Sequence, residues 1–307
     1  MTDFNEKPDE LPEGLHLIDL PLPLAGFYHF ISSWFFVDND GRRILVDPGP
    51  TRSVPLLLEK LSEITDGLDL ILLTHIHLDH SGGVGEVVGR YENAKVVVHQ
   101  KAKRHLVSPE KLWNASMEVL GEIAEAYGRP SPLDLNSFCE SNPGGIEIIE
   151  TPGHAPHHLC FAVRFGEEKL LFIGEAAGLR LPFYSPSGLP YLWPTTPPRF
   201  DLDAAMLSLS RIENALCGDE LLCYAHWGLS GDSPKMIKLA KGQLEMWASV
   251  ISGMIDIPEE TITDCLLSRD PLLKEYERLP EDLRIRDRLF IINSVKGFLK
   301  FFKDSRN

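Results

Sequence analysis

Four metal-ligand side chains, His75, His77, Asp79 and His80, fall within six residues directly after the apolar run 68–74. That run has strand length and is nearly continuous, which fits a strand buried on both faces. A donor cluster at one strand exit constrains the rest of the chain to bring its partners to the same edge. Imidazole and carboxylate are the donors that suit zinc, iron and manganese. If 74–77 continues the strand, His75 and His77 project from one face, because strand side chains alternate, and they can hold one ion together. Asp79 and His80 fall where the chain turns into a helix, so they can aim at a neighbouring ion.

Three later residues qualify as partners: His154 after the strand-like segment 146–150, Glu175 after 169–173, and His226 after 221–224. Each is a ligand-type residue at the exit of an apolar strand. Layered α/β folds place their sites there, since the loops at that end converge on one edge.

The first half of the chain alternates strand-like and helix-like segments. Residues 15–20, 27–37, 43–47 and 95–99 read as strands, and 38–41, Asp-Asn-Asp-Gly, predicts a hairpin between 27–37 and 43–47. Apolar spacing predicts a helix at 54–64, and 101–127 reads as mostly helical. In the second half, 158–165 is a further strand and 202–216 a helix. From residue 233 onward two long apolar stripes predict helices, the first capped by Ser233 with Pro234 at its first position. The expected division is a body over 1–232, with a helical insert at about 101–130, and a helical extension over 233–307 packed on it.

Net charge is −15, and the only basic cluster, 101–105, is short, so a nucleic-acid partner is not expected. No apolar run reaches the roughly 20 residues that span a bilayer, so no membrane role is expected. Residues 1–12 are acidic and lack the pattern of a secretory signal. Five cysteines without a CxxC pair suggest a reducing compartment, and cytoplasm is the expectation. The expected partner is a small-molecule substrate, with a homodimer left open.

The cluster HxHxDH, followed in order by His154, Glu175 and His226, resembles the metallo-β-lactamase superfamily, which includes glyoxalase II-like thioesterases and lactonases. The resemblance covers roughly residues 15–228. It implies an α/β fold, a four-layer αβ/βα sandwich. It also implies that His75, His77 and His154 bind one ion, that Asp79, His80 and His226 bind a second, and that the carboxylate at 175 bridges them. The cofactors it implies are two divalent transition metals, zinc first and iron or manganese as alternatives. Asp47 in Asp47-Pro48-Gly49 matches a residue that supports the histidines, with a plain turn as the other reading. The family usually has Asp where this chain has Glu175. The longer side chain can bridge with a shifted backbone, bind one ion only, or change the preferred metal.

Two such ions share a water and lower its pKa, giving a hydroxide that attacks an ester, thioester or lactone carbonyl. Asp79 is the expected catalytic residue, orienting the nucleophile and carrying a proton. Candidate pocket residues are Tyr28 in an early segment, Trp113 on the insert, and Tyr184, Tyr191 and Trp193 in the aromatic segment after Glu175, where Tyr184 or Tyr191 could donate to an oxyanion. His157 and His158 read as structural rather than ligating. The alternatives are an iron-dependent sulfur dioxygenase, a phosphodiesterase or nuclease, which the acidic balance opposes, and a non-enzymatic binding module. The flavodiiron pattern puts Glu where this chain has His77.

Overall fold

Period-two alternation sorts the apolar side chains of the strands onto two surfaces. In β2 (Ser32–Val37), Trp34 and Phe36 point one way and Phe35 the other; the central strand Leu70–Leu72 with Leu73 divides in the same manner. One set packs sheet against sheet, and the other is covered by helices. The structure, a computed structural model, describes residues 10–184 and 188–305, with the side chains of Phe183 and Tyr184 outside that description.

The first sheet has the order β1-β2-β3-β4-β5, with β1 at His16–Asp19, β3 at Arg43–Val46, β4 at Leu70–Leu72 and β5 at Lys95–Val97. β2 and β3 form the expected antiparallel hairpin, while β3, β4 and β5 run parallel. β4 is interior and wholly buried, as its unbroken apolar run requires. The second sheet contains β6 (Ile146–Glu150), β7 (Leu159–Phe165), β8 (Glu168–Gly174), β11 (Leu221–Tyr224) and β12 (Leu229–Ser230), in the order β12-β11-β8-β7-β6. A separate hairpin, β9 (Leu179–Tyr184) and β10 (Pro190–Trp193), follows β8. Trp34, Phe36, Leu72, Phe161 and Phe172 fill the space between the large sheets.

Helices cover the outer faces: α1 (Val54–Ile64), α2 (Leu78–Ser81), α3 (Val84–Arg90), α4 (Gln100–Val107), α5 (Glu110–Leu120), α6 (Glu122–Tyr127), α7 (Leu202–Ala215), α8 (Ser233–Ser252), α9 (Glu259–Arg269) and α10 (Glu281–Asp304). The result is the expected four-layer α/β sandwich with C-terminal helices. The insert is three helices rather than one long one. Ser108 leaves helical geometry before Pro109, and Gly121 breaks the chain again at φ +53°. The cap of α8 is Asp232, whose carboxylate accepts from the Lys235 amide; Ser233 is the first helical residue. No described helix is long and apolar enough to cross a membrane.

The C-terminal helices share one continuous core with the body. Trp247 of α8 and Phe298 of α10 are fully buried and pack 6.2 Å apart, ring centre to ring centre. Asp270, after α9, accepts from Trp247 Nε1 and Gln243 Nε2, each at 2.7 Å.

Candidate metal centre

The exit of β4 is shaped by its neighbour β3. Asp47 follows β3 with φ +51°, an unusual left-handed conformation for a residue with a side chain. That turn points its carboxylate across the strand exits. One oxygen accepts from the Thr74 amide at 2.8 Å and the other from the Thr74 hydroxyl at 2.6 Å. Asp47 Oδ2 also lies 3.5 Å from His80 Nδ1. Of its two sequence readings, the geometry matches the supporting one.

Three imidazoles converge beyond this point. His75 Nε2 and His154 Nε2 each stand 3.0 Å from His77 Nδ1. The Thr74 hydroxyl spends its proton on Asp47, so His75 Nδ1, 3.0 Å away, is the donor in their contact. His154 Nδ1 faces the Thr195 carbonyl at 2.9 Å and must also donate. Both outer nitrogens therefore hold protons, and both Nε2 lone pairs point inward. A single Nδ1 proton on His77 would satisfy only one of these two lone pairs, whereas a cation among the three nitrogens would satisfy them all. A tetrahedral zinc with metal–nitrogen bonds of about 2.0–2.1 Å keeps its ligands about 3.3 Å apart, close to the spacing here.

The second group lies alongside. One-turn helix α2 carries Asp79 and His80, while His226 follows β11. His226 Nδ1 faces the Phe30 carbonyl at 3.2 Å, so its Nε2 lone pair also points inward. Asp79 Oδ2 lies 3.5 Å from His80 Nε2 and 3.7 Å from His226 Nε2. His80 is fully buried, yet neither ring nitrogen makes a hydrogen bond among the described residues. Leaving such a group unsatisfied is costly, and an ion would complete it.

Glu175 touches both groups. Its Oε2 lies 3.1 Å from His75 Nε2, 2.9 Å from His154 Nε2 and 3.4 Å from His80 Nε2, while Oε1 lies 3.3 Å from His226 Nε2. Gly174 makes this approach available. It turns the end of β8 at φ +55°, and a Cβ there would strike the His158 ring. His158 accepts from the Glu175 amide through Nε2 at 3.1 Å, and its Nδ1 lies 2.8 Å from the Thr151 hydroxyl. Both its nitrogens are engaged outside the ligand set, as its structural reading implies. The donor atoms of His75, His77, His154 and Glu175 all lie within 4.8 Å of one another, as do those of Asp79, His80 and His226.

Electrostatics divides the donor set between two protonation states. Burial, reinforced by neighbouring histidines, holds His75 and His77 well below the ordinary histidine range, so both are neutral, the form that binds metal. Burial pushes Glu175 up, but His154 and His226 outweigh it and keep the carboxyl well below its usual range. Burial lowers His80, and Asp79, Asp47 and Glu175 more than reverse that.

Of the candidate pocket residues, Tyr28 is 39% exposed and borders His29, whose ring lies 4.7 Å from Trp227, next to His226. Trp113 is half-buried on α5 against the helix-covered core. Tyr191 and Trp193 are buried in the interior instead of walling a cleft. Tyr191 donates its hydroxyl to Asp287 Oδ2 of α10 at 3.1 Å, so it has none to offer an oxyanion. Their hairpin lies under the C-terminal helices, which gives both faces of β10 a partner. Tyr184 ends β9, and its side chain lies outside the described residues.

Sequence reasoning placed Tyr127 only on an apolar helix stripe. It is fully buried, its hydroxyl has no hydrogen-bond partner among the described residues, and the charges of Asp79 and Glu175 add to burial in raising its pKa. Nothing local marks it, because only the fold of the insert brings α6 beside the carboxylates.

A family model described as the metallo-beta-lactamase superfamily matches residues 28–226, more than half of the chain. The chain belongs to the metallo-beta-lactamase superfamily. A metallo-beta-lactamase fold-containing protein of Sulfurisphaera tokodaii is 31% identical over 240 residues, covering 73% of this chain and 82% of that protein. A hydroxyacylglutathione hydrolase of Serratia proteamaculans is 40% identical over 132 residues, 42% of this chain and 41% of that enzyme. The chain spans about half the length of such hydrolases, 45% and 59% in two further cases. The solved structure of a family protein from Thermus thermophilus matches with a TM-score of 0.64 at 20% identity, covering 97% of this chain and 95% of that one. This similarity in fold extends through the C-terminal helices.

Proposed function

We propose that the chain hydrolyses an ester, thioester or lactone of a small molecule at a centre of two divalent ions, zinc before iron or manganese. The observation that carries this reading is the Glu175 carboxylate, whose two oxygens face one donor group and the other. A carboxylate so placed would serve both ions if each donor group held one. When bound, such ions supply an acidified water and polarise the carbonyl under attack.

The chain's own residues do the rest. His75, His80 and Glu175 are sealed from solvent, while His77 is only half-buried and the Asp79 side chain is 12% exposed. Substrate therefore approaches from the His77 and Asp79 side. With Oδ2 turned to His80 and His226, Asp79 there orients the nucleophile and receives its proton on Oδ1. His154 and His226 keep their Nδ1 protons on backbone carbonyls and do not take part in proton transfer. The likeness to hydroxyacylglutathione hydrolases, which act on thioesters, favours a thioester among the candidate substrates. The acidic net charge disfavours a nucleic-acid substrate and fits a small-molecule one, and the cysteine usage fits a cytoplasmic protein.

The test is elemental analysis of the protein purified without added metal, paired with a screen of thioesters, lactones and phosphoesters. Two equivalents of zinc with carbonyl-ester or thioester turnover is the expected result. Iron together with oxygen uptake would overturn the hydrolytic assignment in favour of sulfur oxidation, and phosphodiester turnover alone would overturn the substrate class.

A further inference from the structure

Within the two donor groups, His75, His77, Asp79 and His80 come from one stretch of chain, whereas His154, Glu175 and His226 arrive from distant strands. Both distant histidines are held by backbone carbonyls, and α10 packs behind both carbonyls.

The first contact runs through residues 195 and 196. Thr195 offers its carbonyl to His154 Nδ1. Thr196 donates its hydroxyl to the Ser294 carbonyl of α10 at 2.5 Å, and its amide to the Ser294 hydroxyl at 3.4 Å. Three residues along, Gly297 lets the helix backbone meet this segment, and a Cβ there would collide with the Thr196 carbonyl. The second contact runs through Phe30. Its carbonyl takes the His226 Nδ1 proton, and its ring lies 4.7 Å from the His226 ring. Phe290 of α10 packs 5.2 Å from Phe30, and the Arg286 guanidinium lies 4.2 Å over the Phe30 ring. Arg286 also donates to the Gly26 carbonyl, and Asp287 fixes it through bonds of 2.8 and 2.6 Å.

We infer that α10 is a brace for the centre, positioning one ligand in each donor group through two separate contacts. Residues 294–297 govern His154, and residues 286–290 govern His226. The carbonyl that receives an imidazole proton fixes the ring's orientation and tautomer, so a shift of that carbonyl weakens the ligand it holds. Thr196, Ser294, Phe290 and Arg286 are thus positioning residues. The inference rests on the metal-centre reading above.

The test uses full-length protein stripped with a chelator and titrated with zinc against a competing chromophoric chelator. His154→Ala and His226→Ala serve as references that assign the two affinities. Thr196→Val should weaken only the ion lost in His154→Ala, and Phe290→Ala only the ion lost in His226→Ala, each by about 10–100-fold. Thr196→Ser, which keeps the hydroxyl, should restore near-native affinity. Cobalt(II) absorption should change in the two variants in different bands. Equal weakening of both ions in both variants, tracking a fall in thermal stability, would reduce α10 to a general structural role and overturn the inference. Native affinities in both variants would overturn it as well. A native protein that takes up no ion would overturn the centre itself and the brace with it.

Discussion

The adjacent parallel strands β3 and β4 carry charged and polar groups at both ends, and the two ends are built on opposite terms. At the end where the strands start, Arg43 grips the Asp69 carboxylate through two bonds of 2.8 Å, with both side chains about a third exposed. Donor meets acceptor there, and nothing is missing. At the other end, Asp47 and Thr74 satisfy each other, but beyond them buried imidazole nitrogens crowd one another and two carboxylates. Water reaches little of that cluster, and the described residues do not complete it. The lower end shows what a polar arrangement looks like when its purpose is the fold. The upper end shows one that the fold tolerates in order to hold something else.

That contrast can be broken first at its most loaded point. His77→Ala should reduce turnover to background while leaving the chelator-stripped protein at least as stable as the unaltered stripped protein, because it relieves the crowding of ring nitrogens around His77 Nδ1. Activity assays and thermal melts of stripped samples check both halves. Asp79→Asn should cost about 10²–10⁴-fold in kcat, the usual worth of a positioned acid–base group, and should weaken the ion of the Asp79, His80 and His226 group while that of the other group stays bound in elemental analysis. Asp47→Asn should lower zinc affinity by about 10–100-fold without removing a ligand, measured by competition with a chelator.

The lower end should answer only in stability. Hydrogen bonding and attraction from Arg43 hold the Asp69 carboxyl below its usual range despite some opposition from burial. A carboxyl lowered by folding stabilises the protein above its unfolded pKa and ceases to do so as pH falls through its folded value. Asp69→Asn should therefore cost at most about 1 kcal/mol at neutral pH, given solvent screening. The difference should vanish in acid, and turnover should not change. Denaturant melts at several pH values would show it.

How much of this was readable beforehand depended on distance along the chain. His75, His77, Asp79 and His80 could be read because the spacing is local and follows a recognisably buried strand. His154, Glu175 and His226 could be read because each ends an apolar run, and in the structure those ends meet. The departure at Glu175 could be seen, but not where the longer side chain lies. That depended on Gly174 turning the strand end and on His158 holding the Glu175 amide. The hairpin bearing Tyr191 and Trp193 was misplaced because aromatic residues between Pro and Gly look the same whether they wall a cleft or fill a core. Only the C-terminal helices, about fifty to a hundred residues later, decide between the two. The mostly helical reading of 101–127 did not place its breaks, which fall at Pro109 and Gly121. Tyr127 gave no local signal, since its surroundings come from other segments.

The most direct test of the central claim is calorimetric titration of the chelator-stripped protein with zinc, following thioester hydrolysis in the same samples. Two equivalents bound, with hydrolysis absent before the titration and restored as the sites fill, is the outcome this account requires. Hydrolysis that survives complete stripping, or a protein that takes up no zinc at all, would contradict it.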